Sequence, residues 1–526
     1  MSDVLLLDQY FWTSKEKPEL IGAILPINLL YLASYLKRAG VDCKIAELGK
    51  SEPTHFVPDG TRVRSGLADD EIAAILTAEK PRLVGIGCMF TRHYPETLAI
   101  AEFVRRTCPD ARIVFGGNHA SCFPEQCLKN KAVDFVVIGE GEKTLLDLAQ
   151  HVLSGRTNWS EIDGLAYRNE TGQTVRSKPR DLIKNLDDLV VDYNLVDVKR
   201  YTAPSVNSPF LMRAPNMGII TSRGCPNKCV YCTVKNIYGR TWRSKSAKKT
   251  VDEIEFLHKQ YGFGEFAILD DSASLDKKRW NEICNEIITR KLDIRWTTPN
   301  GIAHWTLDEP TLDKMKEAGC YRVTFGIESG FEATRKYLGK PYPLSQARDM
   351  IRHANRIGMW TICTNIIGFP DETGESMDAT VRFAKESGAD FATFYLLQPH
   401  LASEVYSHFK QAGLINFDHL LDGDNINPAE YEIMTRTIVE GGSQTKHFTA
   451  EELRGIQNKA YRSFLTYRIL SCVVNPLRIL RKIRSLEDFR YMAKLGLTGL
   501  SMLARTFRIR NTASLLYTNT PPTEEI

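Results

Sequence analysis

The sequence predicts an α/β protein in which two parallel β/α units are followed by a helical C-terminal region. Five apolar, strand-like runs alternate with helix-like periodicity over the first 155 residues, and the alternation repeats six times between residues 216 and 397. Such alternation is typical of parallel sheets. A chain of 526 residues is also too long for one ordinary domain. We expect a doubly wound sheet over residues 1–155, a connecting segment over 156–212, a partial (β/α)6 barrel over 213–420 and a basic helical region over 421–526.

The composition is typical of a globular protein without a membrane span. Hydrophobic residues make up 43% of the chain and charged residues 25%. Residues 1–3 lead directly into a strand-like run rather than a signal peptide, and no uncharged apolar stretch reaches about 18 residues. The twelve cysteines show no disulfide-framework spacing, which is typical of a reducing compartment. We therefore expect a cytoplasmic protein.

Glycine-rich segments mark the carboxyl ends of the strands in the first unit. The predicted strands are residues 4–8, 43–48, 83–90, 112–117 and 135–139, with helices over 25–40 and 69–79 among those between them. Gly116-Gly117-Asn-His-Ala-Ser121 follows the fourth strand, and Gly139-Glu140-Gly141-Glu142 follows the fifth. Ligands of doubly wound sheets bind at these ends, and glycine lets a bulky ligand approach the backbone. Tight turns without a ligand are the alternative. No G-x-G-x-x-G follows the first strand, which argues against a dinucleotide site.

The second unit supplies six further strands and the helices between them. The predicted strands are residues 217–221, 265–270, 294–298, 322–327, 361–368 and 391–397, and the predicted helices are 248–261, 277–290, 308–318, 344–358 and 374–387. Six β/α repeats predict a partial parallel barrel. Catalytic groups in such barrels lie at the carboxyl ends of the strands.

Three cysteines follow the first strand of this barrel. Cys225, Cys229 and Cys232 have the spacing C-x3-C-x2-C, and Gly224 and Pro226 favour a turn there. Iron–sulfur clusters are normally held by four thiolates, so three thiolates would leave one iron open to an outside ligand. Structural zinc usually takes four ligands in two pairs, and the chain has no second pair. Cysteines serving only as small buried hydrophobes are the remaining alternative.

This motif, in this setting, resembles the radical SAM superfamily. The resemblance implies a 4Fe–4S cluster on the three cysteines, with S-adenosylmethionine chelating the fourth iron through its amino and carboxylate groups. In that family, one electron from the cluster cleaves S-adenosylmethionine to methionine and a 5′-deoxyadenosyl radical. Tyr231 matches the aromatic residue that lies near the adenine.

The resemblance also assigns residues at other strand ends to S-adenosylmethionine. Asp270 and Asp271 match the place that holds the amino group, and Glu328 and Ser329 match contacts to the ribose and the amino-acid part. Gly368 lies in a turn that matches one near the adenine, where Asp371 or Thr373 would alternatively only cap the next helix. Gln398 matches backbone contacts to the adenine edge. Thr298 and Asn300, which end the third strand, are placed so that they would face the bound molecule.

The first unit resembles the Rossmann-like cobalamin-binding domain that precedes many radical SAM domains. The matching segments are residues 25–36, 116–121 and 137–142, and the implied cobalamin contacts are Gly116, Gly117, Ser121, Gly139, Glu140 and Gly141. The D-x-H-x-x-G motif, whose histidine ligates cobalt in other cobalamin proteins, is missing. His93 and His119 are the nearest histidines, and we expect neither to bind cobalt.

The C-terminal region carries the positive charge of the chain. Residues 451–510 contain thirteen Lys and Arg against four Asp and Glu, while the whole chain has a net charge of +4. Two interpretations stay open. We favour a helical lid over the barrel mouth; the other is a membrane-surface helix that takes a lipidic substrate from the bilayer. No nucleic-acid fold motif accompanies the charge, so we expect no nucleic-acid partner.

Together these resemblances imply a cobalamin-dependent radical SAM enzyme that methylates an unactivated carbon of a small-molecule or lipid-like substrate. Its expected partner is an electron donor such as flavodoxin or ferredoxin, and the membrane-surface interpretation of the basic region would add a peripheral membrane contact. A non-methylating cyclase of the same architecture is the first alternative. A tRNA methylthiotransferase would need three further N-terminal cysteines, and Cys43, Cys88, Cys108, Cys122 and Cys127 lack that spacing. The third alternative is a non-enzymatic module that binds a corrinoid or senses light.

Overall fold

The first domain of the computed structural model is built on a seven-stranded sheet. The structure describes residues 1–14, 25–49, 56–59, 62–202, 211–340, 342–422, 427–435, 437–438 and 443–508. In spatial order the strands are Thr174–Arg176, Leu165–Arg168, Phe135–Val137, Arg112–Gly116, Leu83–Gly87, Val4–Asp8 and Cys43–Glu47. The five predicted strands are confirmed and pair in parallel. Two of them, Leu83–Gly87 and Phe135–Val137, end three and two residues before the predicted limits, because the residues that follow belong to loops.

Helices cover both faces of this sheet, which explains why its strands read as continuous apolar runs. In the strand Val4–Asp8, residues 4–7 are at most 1% exposed. Val4 and Leu6 belong to one core, and Leu5 and Leu7 belong to the core on the opposite face. The covering helices are Ile27–Arg38, Asp69–Glu79, Tyr94–Thr107, Asn118–Cys122, Pro124–Lys129 and Gly141–Ser154.

The hairpin predicted within the connecting segment is part of the first sheet. Its strands Leu165–Arg168 and Thr174–Arg176 pair antiparallel, and the first of them pairs with Phe135–Val137. A small antiparallel sheet of Phe11–Ser14, Arg62–Ser65 and Phe56–Asp59 was not predicted. Short 3-10 helices span Thr91–His93, Trp159–Glu161, Leu186–Asp188, Tyr193–Leu195, Val198–Thr202 and His304–Thr306.

The second domain is the predicted partial barrel, with six parallel strands in sequence order. The strands are Asn216–Ile219, Glu265–Ile268, Arg295–Ile302, Cys320–Glu328, Trp360–Ile367 and Phe391–Leu396. The helices between them are Ala247–Tyr261, Lys277–Thr289, Glu309–Glu317, Glu332–Leu338, Leu344–Arg356 and Gly374–Ser387. The cysteine loop carries the short elements Ser222–Arg223, Lys235–Tyr238 and Arg243–Ser244. We call the end of the barrel at the carboxyl ends of the strands its mouth, and the other end its closed end.

The helix Ala450–Val474 covers the last strand of the barrel sheet. Thr449 caps the helix, and Glu452 completes a capping box with it, as the sequence predicts for a helix start. Tyr461 Oη accepts a hydrogen bond from Phe394 N at 3.0 Å, and Gln457 Nε2 donates to Phe394 O at 2.7 Å. These side chains satisfy backbone groups on an edge strand, which would otherwise invite pairing with another chain.

The basic helices Leu477–Leu480 and Leu486–Arg508 lie at the closed end, so they do not form the predicted lid over the mouth. The helices Glu404–Gln411, His419–Asp422 and Pro428–Thr435 lie instead on the mouth side. There, Val405 N donates to Val230 O in the cysteine loop at 2.9 Å, and Gln126 Nε2 in the first domain donates to Leu420 O at 2.7 Å. The ring of Tyr491 packs against Trp360 and Tyr321 near the starts of two strands. Lys482 Nζ donates to Asp390 Oδ2 at 2.8 Å, directly before the last strand. Among the described residues, we find no helix that combines the length and apolarity needed to cross a membrane.

Candidate functional site

The three cysteines lie together on one loop at the barrel mouth. Cys229 is buried, and Cys225 and Cys232 are half-buried. Burial, with further contributions from the neighbouring thiols, raises the pKa of Cys232 to about 11 and also raises the pKa of Cys229. No three His, Cys, Asp or Glu side chains in the described ranges converge on a point that a single metal ion would occupy. A four-iron cluster does not require such convergence, since each thiolate binds a different iron; a zinc site does.

The cysteine loop is closely packed, and two glycines make this packing feasible. Gly224 has φ of +83°, and a Cβ atom there would lie 2.1 Å from Thr241 O. Gly339 has φ of +78°, and its Cβ would lie 2.5 Å from Lys228 O. Val230 N also donates to Leu338 O at 3.3 Å. The positions of the thiols are therefore fixed by backbone packing that no larger residue would allow.

The two aspartates after the second barrel strand have different roles in the structure. Asp270 is buried and accepts hydrogen bonds from Thr221 N, Thr221 Oγ1 and Ser222 Oγ, each at 2.6 Å. Its carboxylate thus holds the segment that leads into the cysteine loop. Asp271 is more open, accepts one hydrogen bond from Gly224 N at 3.2 Å, and lies close enough to Cys232 to raise that thiol's pKa. Of the two, Asp271 is the better placed to meet an ammonium group.

Glu328 connects the fourth strand to the cysteine loop. Its Oε1 accepts hydrogen bonds from Tyr231 Oη at 3.0 Å and from Lys340 Nζ at 2.7 Å. Its φ of +65° is a left-handed conformation that costs free energy in a non-glycine residue. Burial disfavours the Lys340 ammonium, yet the charge of Glu328 outweighs this and raises the pKa of Lys340. Lys340 is a site residue that the sequence reasoning missed, and it places a cation beside Cys229.

Of three other predicted residues, two are buried and one is exposed. Ser329 is fully buried; its Oγ lies 3.1 Å from Thr380 Oγ1 and accepts a hydrogen bond from Phe331 N at the same distance. Thr298 is 1% exposed, and its Oγ1 accepts from Thr324 N at 3.4 Å. Asn300 is exposed and donates to Leu269 O at 2.7 Å. Ser329 and Thr298 thus shape the strand ends, while Asn300 lies at the surface of the mouth.

The turn after the fifth strand is organised by Glu372. Gly368 has φ of +94°, and its N–H and that of Phe369 both donate to Glu372 Oε2. Thr373 caps the following helix, whereas exposed Asp371 pairs with Lys446 at 2.5 Å. Gln398 follows the sixth strand, and Leu397 N donates to Ile367 O at 2.9 Å, so the two predicted segments lie side by side. Glu372, which was not predicted, is therefore the residue that fixes the shape of this part of the mouth.

We expect Glu372→Gln to make the protein more stable above neutral pH. Burial raises the pKa of Glu372 from an ordinary 4.5 to about 7. The folded state then holds a proton that the unfolded state releases, so stability present below pH 4.5 is lost as the pH rises to about 7. The neutral amide avoids that loss, which amounts to about 1–3 kcal/mol.

Urea denaturation at several pH values measures this difference. The advantage of Glu372→Gln over the unchanged protein should grow between pH 4.5 and 7 and then level off. The exposed Glu375, changed to Gln, is the matched control and should show no such growth. An advantage that is independent of pH would contradict the assignment.

The carboxyl ends of the first sheet leave room for a flat ligand. A Cβ atom at Gly87 or Gly116 would meet no atom within 4 Å. The adjoining loop exposes two large apolar side chains, Met89 at 42% and Phe90 at 59%. Exposed apolar residues beside open glycines are suited to contact a macrocycle. The sequence did not indicate Met89 and Phe90 as ligand contacts, because the strand was predicted to continue to residue 90.

Gly117 and Ser121 shape this edge of the sheet. A Cβ at Gly117, which has φ of +105°, would lie 2.7 Å from Cys88 O, so the turn needs glycine. Ser121 Oγ accepts a hydrogen bond from Gly139 N at 3.1 Å and thus joins the two predicted glycine motifs. His119 is 1% exposed, its Nδ1 lies 3.1 Å from Thr91 Oγ1, and burial lowers its pKa to about 3. This packing agrees with the expectation that His119 does not bind cobalt.

Glu140 and Glu142 join the two domains. Arg223, directly before the cysteine loop, donates to Glu140 Oε1 at 3.0 Å and to Glu142 Oε1 at 2.6 Å. Arg243 donates to both Glu140 oxygens at 2.8–2.9 Å. All four side chains are at most 9% exposed. The sequence predicted Glu140 as a cobalamin contact, but the structure shows its carboxylate fully engaged by arginines and by Ile183 N.

Further contacts bring the two predicted cofactor regions together. Asn118 Nδ2 donates to Oγ1 of Thr233, the residue that follows Cys232, at 3.1 Å. Asn236 Nδ2 lies 3.4 Å from Cys122 Sγ, and a Cβ at Gly139 would lie 3.5 Å from Ile237 O. The glycine-marked edge of the first sheet therefore abuts the cysteine loop. This arrangement suits an enzyme in which two cofactors act on one substrate.

Comparison with known proteins identifies the class. A profile of the Radical SAM superfamily matches residues 219–384, and a profile of the B12 binding domain matches residues 21–149. Uncharacterized methyltransferase PH0819 from Pyrococcus horikoshii is 32% identical over 84% of this chain and 87% of its own. The chain thus belongs to the radical SAM superfamily and carries a B12-binding domain ahead of its radical SAM domain. The cofactors of this class are a 4Fe–4S cluster, S-adenosylmethionine and cobalamin.

Other relatives and a solved structure agree with this assignment. Cytidylyl-2-hydroxyethylphosphonate methyltransferase from Streptomyces wedmorensis is 30% identical over 76% of this chain and 84% of its own. Anaerobic magnesium-protoporphyrin IX monomethyl ester cyclase from Rubrivivax gelatinosus is 27% identical over 85% of this chain and 76% of its own. The structure of the radical S-adenosylmethionine methyltransferase TsrM from Kitasatospora setae, with cobalamin and a [4Fe-4S] cluster bound, superposes with a TM-score of 0.65 at 20% identity over 89% of each chain. The predicted architecture is confirmed.

Proposed function

We propose that this enzyme methylates an unactivated carbon of a small-molecule or lipid-like substrate. The observation that carries the proposal is the direct contact between the glycine-marked edge of the first sheet and the cysteine loop. When bound, the cluster with S-adenosylmethionine supplies a 5′-deoxyadenosyl radical, and cobalamin supplies the methyl group. A short path between the two cofactors is needed because the substrate radical must meet the methyl donor before it meets another reactant.

The protein's part is to hold these groups and to keep the site ordered. Cys225, Cys229 and Cys232 would hold three irons, with Lys340 balancing the negative charge beside Cys229. Asp271 would bind the ammonium of S-adenosylmethionine as a charge-assisted contact. Tyr231 and Glu328 would line the nucleoside part, and the turn at Gly368 together with Gln398 would offer backbone groups to the adenine.

At the other side of the site, residues of the first sheet would hold cobalamin. Gly116, Gly117 and Gly139 would let the corrin ring approach the backbone, and Met89 and Phe90 would cover its apolar surface. Ser121 and Gly141 would position the loops around it. Because His119 is packed against Thr91, we do not expect it to contact the bound cobalamin.

Two partners complete the proposal. A flavodoxin or ferredoxin would supply electrons, since a 4Fe–4S cluster is reduced one electron at a time. The basic C-terminal region would make a peripheral membrane contact, which its excess of Lys and Arg supports.

We expect the reconstituted enzyme to transfer a labelled methyl group. Incubation with methyl-labelled S-adenosylmethionine, a reductant and a panel of small-molecule substrates should give a product heavier by one labelled methylene unit, together with 5′-deoxyadenosine. The outcome that would contradict methylation is a product whose mass shows no added methyl group although 5′-deoxyadenosine accumulates. That result would favour the cyclase alternative, which the relative from Rubrivivax gelatinosus supports.

A further inference from the structure

One continuous segment of the C-terminal region leaves an unusual number of large apolar side chains in solvent. Ten of them fall within residues 467–500, each at least 41% exposed. They are Tyr467, Leu470, Val473, Val474, Leu477, Leu480, Leu486, Phe489, Leu497 and Leu500. Isolated exposed apolar residues need no explanation, but a cluster of this size marks an interaction surface.

The helix Leu486–Arg508 is apolar on two sides. Tyr491 and Leu495 are 2–3% exposed and pack against the closed end of the barrel. Leu486, Phe489, Leu497 and Leu500 are spaced by three, eight and three residues, which places them along one face of a helix. They are 50–71% exposed, so within the described part of the chain nothing covers this second apolar face. Burial of the first face explains why the helix forms, and the second face needs another partner.

Basic residues lie among these exposed apolar side chains. Residues 467–500 contain seven Lys and Arg but only two Asp and Glu. Lys482 and Arg468 are buried against Asp390 and anchor the segment to the barrel. Arg481, Arg484 and Arg490, in contrast, are exposed between the apolar residues. A helix with an apolar face and flanking arginines is suited to an anionic bilayer. Its apolar face can lie in the acyl boundary, and its arginines can pair with the anionic headgroups.

We propose, as a more specific form of the peripheral contact in the proposed function, that residues 467–500 dock this enzyme onto an anionic membrane surface, with the helix Leu486–Arg508 lying in the interface. The docking segment covers the closed end of the barrel, where Lys482 and Tyr491 contact residues at the starts of strands. The cysteine loop lies at the opposite end. The barrel mouth is then turned away from the lipid, and the substrate reaches the site from water rather than directly from the bilayer.

Flotation of the full chain with lipid vesicles tests this proposal. We expect binding to phosphatidylcholine vesicles that contain about 30% phosphatidylglycerol and much weaker binding to pure phosphatidylcholine. The variant Leu486→Ser/Phe489→Ser/Leu497→Ser should bind at least about tenfold more weakly. The exposed Val190 and Phe256, at 52% and 46%, lie on other elements, and Val190→Ser/Phe256→Ser is the matched control that should bind normally.

A second variant separates charge from apolar contact. Arg481→Gln/Arg484→Gln/Arg490→Gln should weaken binding to the anionic vesicles while leaving binding to pure phosphatidylcholine unchanged. The proposal is overturned if the unchanged protein ignores anionic vesicles, or if the control variant loses binding as the serine variant does. It is also overturned if sedimentation shows a stable dimer that the serine variant splits, since the face would then belong to a second copy of the chain.

Discussion

We expect Cys229→Ala to abolish cluster assembly and the release of 5′-deoxyadenosine. The change would remove one of three proposed ligands from a loop whose backbone is fixed by Gly224 and Gly339, so we expect no neighbouring side chain to replace the thiolate. We expect the iron content of the reconstituted protein to fall from about four per chain to below about one. Iron analysis and quantification of 5′-deoxyadenosine measure the effect.

The chain offers a matched control for this loss. Cys284 is a fully buried cysteine of the barrel core, in the helix Lys277–Thr289, and it should act only as a small hydrophobe. Cys284→Ala should therefore keep its iron and its S-adenosylmethionine cleavage, although it will cost some stability. Full iron content in Cys229→Ala would show that the loop is not the cluster site.

We expect Arg223→Met to destabilise the contact between the two domains more than a substitution in an exposed ion pair would. It leaves Glu140 and Glu142 buried, with Glu142 deprived of the partner that lies 2.6 Å away. Burial disfavours the Arg223 guanidinium, yet the charges of Glu142 and Glu140 outweigh this and raise its pKa. Breaking a buried pair from one side typically costs about 3–5 kcal/mol. Urea denaturation should show a loss of this size.

A second ion pair in the first domain shows what an exposed contact contributes. Arg176 and Glu125 approach to 2.5 Å, but both side chains are about half exposed. Arg176→Met should cost at most about 1 kcal/mol. In contrast, the double variant Arg223→Met/Glu142→Gln should recover part of the loss, because it removes one of the uncompensated charges. Equal effects of Arg223→Met and Arg176→Met would contradict the role that we assign to the buried cluster.

The sequence predicted those features that depend on local pattern. Residues 4–7 are apolar on both faces, which is expected of a parallel strand covered by helices on both sides. The spacing of Cys225, Cys229 and Cys232 predicts thiols on one turn, because the intervening residues are too few to separate them. The glycine motifs at 116–117 and 139–141 mark strand ends for the same local reason.

Features that depend on distant partners could not be predicted. Glu140 and Arg223 are 83 residues apart, and nothing in either neighbourhood identifies the other as its partner. A row of basic residues likewise does not say which end of a barrel it covers; the buried pair Lys482–Asp390 decides this in the structure. Met89 and Phe90 were predicted to belong to the strand. Sequence alone does not distinguish apolar residues exposed at the end of a strand from apolar residues buried within it.

The central claim is that one chain holds a radical-generating cluster and cobalamin side by side. Its most direct test is to purify the protein anaerobically with cobalamin and to measure iron and corrinoid per chain, with the optical spectrum as a check. We predict about four irons and about one corrinoid. About eight irons would instead indicate the second cluster of a methylthiotransferase. A folded protein that retains no corrinoid would contradict the assignment of the first domain, and with it the proposed methyl transfer.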